Sequence, residues 1–162
     1  MVLNMKTKKI YLEAVYEKKV ICSVFTAVIA AAMLCGCVKP DDKTITVKDA
    51  AIPTLYSALG DERKITGHAA ATENGVTSKT LTYGDGDVSR EDVTEYIVDL
   101  CDNEGYTVID GTEDANDSSI EMIAGAAIDM GDGNIVIVSA DWTSSETTIE
   151  YQYGKGTLTP YQ

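Results

Sequence analysis

The chain has 162 residues and a formal net charge of −13, with 26 acidic against 13 basic residues and 44% hydrophobic residues. A surplus of negative charge this large repels phosphate backbones and anionic headgroups, which argues against nucleic-acid binding and against attachment through a basic surface patch. The hydrophobic content and length suffice for one small domain with its own core.

Chain order begins with an apolar run. Residues 20–34 are almost entirely apolar and directly follow Lys18-Lys19. The run is shorter than the roughly 20 residues a spanning helix needs. A basic end, an apolar core and small residues at its close are the parts of a cleaved secretory signal. Leu34-Cys35-Gly36-Cys37 ends the run and resembles the lipobox of bacterial lipoproteins, in which an apolar residue and two small residues precede a cysteine. The resemblance covers only the first 37 residues. It implies cleavage between Gly36 and Cys37, acylation of Cys37 with fatty acid such as palmitate, and residence on the extracytoplasmic face of the cell membrane. Buried acyl chains hold a protein there at about 0.8 kcal/mol per methylene.

Processing of that kind removes five lysines and two glutamates, leaving 8 basic and 24 acidic residues and a net charge of −16. Of the four cysteines, Cys22 and Cys35 would leave with the signal and Cys37 would carry lipid, so Cys101 alone remains as a thiol. A disulfide framework within one mature chain is thereby excluded. Cys101 reads as a small buried hydrophobe, and His68, the single histidine, sits in Gly67-His68-Ala69-Ala70 without an identifiable catalytic partner.

Residues 37–44 are expected to form the lipidated cysteine and a proline-broken tether, and 45–162 a single α+β domain. Within it, a short helix is predicted over 54–59 after Pro53, followed by an irregular passage through 60–75. Residues 76–83 read as a strand, closed by Gly84-Asp85-Gly86-Asp87. Ser89 three residues before Asp92 resembles a capping box, and Val93, Tyr96, Ile97, Leu100 and Cys101 then share one helical face, predicting a helix over 89–104. Strands follow at 106–110, 120–130, 135–138 and 147–153. The run Ile135-Val136-Ile137-Val138 is apolar on both faces and is predicted to be central. The expected architecture has two layers: a mainly antiparallel sheet of about five strands with one main helix packed on one face.

Searches for chemistry give little. There is no G-x-S-x-G, S-x-x-K, P-loop or H-E-x-x-H pattern. Asp110, Thr112, Asp114 and Glu121, with Ser118, fall at oxygen-ligand places of an EF-hand loop, but Ala115 stands where the glycine belongs; a weak calcium site is the most this spacing allows. The loop at Asp85 begins in the same way and breaks at Arg90. Trp142, Tyr151 and Tyr153, with Tyr161, are the residues of a possible aromatic partner-binding patch. No cofactor besides the lipid on Cys37 is expected. The reading is a non-catalytic binding or adaptor lipoprotein with an envelope-protein partner. Its alternatives are a small envelope hydrolase working through carboxylates and a weak divalent-cation binder.

Overall fold

The computed structural model describes residues 10–11, 38–109 and 122–160, with side chains for 38–109 and 122–158. The elements in chain order are β1 (Ile10–Tyr11), β2 (Thr44–Val47), β3 (Ala50–Pro53), α1 (Leu55–Leu59), β4 (Ile65–Glu73), β5 (Val76–Tyr83), α2 (Arg90–Asp102), β6 (Thr107–Ile109), β7 (Met122–Asp129), β8 (Asn134–Trp142), β9 (Thr147–Lys155) and β10 (Thr159–Pro160). The fold is α+β. Strands β6-β7-β8-β9-β5-β4 form an antiparallel sheet in that order, and the two-residue strands β1 and β10 extend its β6 edge. A separate hairpin pairs β2 with β3.

The α2 helix follows from its sequence. Ser89 Oγ accepts the Asp92 N–H at 3.1 Å and Asp92 Oδ2 accepts the Ser89 N–H at 2.9 Å, so two otherwise orphaned amides are satisfied reciprocally. Val93, Tyr96, Ile97 and Leu100 bury one face of the helix. Strand β8 lies at the centre of the sheet between β7 and β9, as its two-sided apolar character predicts. In β9, Thr147, Ile149, Tyr151 and Tyr153 are buried while Thr148, Glu150 and Gln152 are partly exposed.

Two expectations need correction. The passage through 60–75 is largely a strand: Asn74 and Gly75 take φ of 50° and 83°, the pair of positive values a tight hairpin turn requires, and fold β4 back on β5. The sheet therefore has more strands than expected, and one helix does not cover it. The second layer is shared. The α2 helix packs on β6, β7 and β8, while the β2–β3 hairpin packs over β5 and β9. Ile45, Val47, Ala50 and Ile52 turn inward from this hairpin to meet Leu81, Tyr151 and Tyr153 in one continuous core. At the tip of the hairpin, Lys48 lies with its Nζ 4.9 Å above the ring of Tyr153.

The segment read as a tether is seated on the domain. Val38 packs against the core, the Asp42 N–H donates to the Lys39 carbonyl at 3.1 Å, the Lys39 N–H donates to Asp42 Oδ2 at 2.7 Å, and the Thr54 N–H donates to the Lys43 carbonyl at 3.0 Å. Among the described residues no helix is long and apolar enough to cross a membrane.

Candidate functional site

Alternation along the strands sends apolar side chains to the covered face and leaves a different set on the helix-free face. Register places Ser78, Gln152 and Ile137 in one row across β5, β9 and β8, then Thr80, Glu150 and Ser139, then Thr82, Thr148 and Asp141. These rows carry hydroxyl, amide and carboxylate groups, partly exposed, beside Ile137, and the same face of β7 and β8 also holds Ile123, Ala127 and Ile135, the last two buried. On β7 the middle row holds Gly125, whose missing Cβ leaves the space that the Ile109 side chain of β6 occupies; a Cβ there would stand 3.0 Å from Ile109 Cγ1.

Asp141 and Glu150 are diagonal neighbours on this surface, because Asp141 faces Thr148 and Glu150 faces Ser139. Partial burial, and then the charge of Glu150, push the Asp141 carboxyl above its ordinary range. A carboxyl of raised pKa beside a second carboxyl is a pattern that acid–base chemistry uses. The pair lies on the helix-free face of the sheet, on adjacent central strands β8 and β9.

A small, open recess lies at the docked N-terminal turn, lined by residues that include Val38, Asp42, Thr54, Arg63 and Tyr83. Arg63 Nη2 stands 3.3 Å from Asp92 Oδ1, and its Nε is buried without a hydrogen-bond partner. Burial tends to raise the Asp92 carboxyl, but hydrogen bonds from Ser89 and the Arg63 guanidinium prevail and hold it below the usual carboxylate value.

The residues singled out from the sequence fall in different places. Gly36, Cys37, Asp110, Thr112, Asp114, Ser118, Glu121 and Tyr161 lie outside the described residues. Tyr151 and Tyr153 are core residues, 0% and 6% exposed, and so are not available to a partner; their side chains follow the covered side of β9. Trp142 is half-buried and its indole N–H donates to the Val88 carbonyl at 2.9 Å, which makes it a brace for the loop before α2.

The remaining candidates are also placed. His68 is exposed on β4, whereas Cys101 is half-buried near the end of α2; burial and then the Asp102 charge push its thiol upward, opposite to what a nucleophile needs. The Asp85 loop is engaged by Lys64, whose ammonium lies 2.6 Å from Asp85 Oδ2 and whose backbone N–H donates to Asp87 Oδ2 at 2.5 Å. Among the described residues no cluster of three or more metal-ligating side chains is present. Sequence reading missed the helix-free face because its residues are ordinary surface types individually; only strand order brings Asp141 and Glu150 together.

No family model matches the chain, and no curated protein or solved structure shows significant similarity to it.

Proposed function

We propose that the protein is a lipoprotein held on the extracytoplasmic face of a membrane by acyl chains on Cys37, and that its domain binds a polar partner through the helix-free face of the sheet without catalysing a reaction. The observation that carries this reading is the position of Val38. Val38, the residue directly after the lipobox cysteine, packs against the core. A lipidated Cys37 would thus hold the domain on the bilayer with almost no spacer, since each extended residue adds at most about 3.5 Å. The lipid then fixes position, and the polar face supplies recognition.

The test is crosslinking and co-purification from native membranes, comparing the wild-type protein with Cys37→Ala and with a Ser139→Arg/Thr80→Arg variant of the face. A stoichiometric partner recovered with wild type, lost when the face is altered and reduced when the anchor is removed, is the expected result. Membrane-bound wild-type protein that recovers no partner contradicts the adaptor role.

A second reading rests on the Asp141–Glu150 pair, which would serve a carboxylate-dependent hydrolase. It requires that Asp141→Asn abolish a measurable hydrolytic activity of the purified protein against envelope glycans or esters.

A further inference from the structure

The uncovered edge of a sheet is a row of unpaired backbone amides and carbonyls, and proteins ordinarily shorten it, charge it or interrupt it with proline. The two edges of this sheet differ in that respect. One is short in either form of the chain: before cleavage it carries the two-residue strands β1 and β10, with Pro160 in the outermost, and in a chain beginning at Cys37 it is the three-residue β6. The other is β4, nine residues long, paired among the described residues to β5 alone, with no proline and with Glu73 and His68 its only ionisable residues.

The geometry of this edge follows from the hairpin. The two-residue Asn74-Gly75 turn makes Glu73 and Val76 a hydrogen-bonded pair, so in the ladder from Glu73 back to Gly67 the alternate residues Thr72, Ala70 and His68 direct N–H and C=O away from β5. Residues flanking these are small: Gly67, Ala69 and Ala71.

We propose that a second copy of the chain pairs antiparallel with β4 about a two-fold axis through Ala70. Ala70 would face its own symmetry mate, and His68 of each copy would face Thr72 of the other, each facing pair exchanging two main-chain hydrogen bonds. Two observations select this occupant. The outward-directed positions are symmetric about Ala70, so the edge is complementary to itself, as an isologous contact demands. The strip from Gly67 to Thr72 also carries no acidic residue in a strongly acidic chain, so like-charged copies can meet along it with little direct repulsion. Pairing would merge the two sheets into one and set their helix-free faces side by side. The proposal does not depend on lipidation.

The experiment uses the full-length protein in a non-ionic detergent, with sedimentation velocity across a concentration series and amide hydrogen exchange at His68, Ala70 and Thr72. Ala70→Pro removes an outward N–H without taking a bond from the β4–β5 ladder, and proline is tolerated at such edge positions. Ala70→Lys keeps the N–H but opposes two like charges across the axis, and serves if the proline variant does not fold. The wild type is expected to form a concentration-dependent dimer in which these three amides become protected, and both variants are expected to lose it. A monomeric wild type, a dimer that survives both substitutions, or protection of the edge only in a complex with a different polypeptide overturns the proposal.

Discussion

The hydroxyl of Tyr96 on α2 donates to the carbonyl of Pro53 at the end of β3, 2.7 Å away and with Tyr96 fully buried. This bond ties together the two elements that share the covering layer. The neighbouring hydroxyl of Tyr151 is equally buried yet has no hydrogen bond of acceptable geometry, although Tyr83 and Tyr96 are its polar neighbours. Two substitutions that each delete one oxygen should therefore differ. Tyr96→Phe leaves the Pro53 carbonyl unsatisfied in the core and should cost about 1–3 kcal/mol. Tyr151→Phe removes a hydroxyl with at most weak contacts to Tyr83 and Tyr96 and should cost less, staying within about 1 kcal/mol of wild type. Urea unfolding of the two variants beside wild type checks both.

The capping box predicts an acid-sensitive contribution to stability. Ser89→Ala should destabilise by about 1 kcal/mol at neutral pH. Because the folded-state Asp92 carboxyl is held below its ordinary value, its contribution is present above the unfolded pKa of about 3.9 and is lost as pH falls through the lower folded value. Asp92→Asn should be less stable than wild type at pH 7, with the difference shrinking below about pH 4. A gap that stays constant on acidification would show that the charge of Asp92 contributes nothing.

Asp141 predicts the opposite sign. Burial and Glu150 raise its carboxyl in the folded state, so the fold carries a penalty whenever Asp141 is ionised, and that penalty is relieved as pH falls through the raised pKa toward the ordinary value. Asp141→Asn should stabilise the protein at pH 7, on the order of the 0.2–1 kcal/mol typical of cross-strand pairs. The gain should disappear at low pH, where wild-type Asp141 is protonated. Thermal melts of the two proteins at pH 7 and near pH 4 distinguish this outcome from a simple packing change.

What could be read from the sequence divides along physical lines. Helix α2 was legible because Ser89, Asp92 and the apolar spacing from Val93 to Cys101 all specify the same element. Strands β8 and β9 were legible from a two-sided apolar run and from alternation ending at Tyr153. The β2–β3 hairpin was not, because Ala50, Ala51, Leu55 and Ala58 also fit helical spacing, and the alternation of Ile45 with Val47 is only four residues long. Strand β4 was hidden because Gly67-His68-Ala69-Ala70-Ala71 lacks the β-branched and aromatic residues that mark strands. Asn74-Gly75 was the available signal for it. The Asp141–Glu150 juxtaposition depends on the β8–β9 register, which the composition of neither strand specifies. Tyr151 and Tyr153 lie in the core for a related reason: they share a face with Ile149, and that face is the covered one.

Intact mass measurement of the protein extracted from membranes tests the lipoprotein reading most directly, with Cys37→Ala as its comparison. A wild-type chain beginning at Cys37 and carrying diacylglyceryl mass, together with an unlipidated, unprocessed variant, is the predicted result. A wild-type mass that retains the apolar run of residues 20–34 and carries no lipid would contradict it.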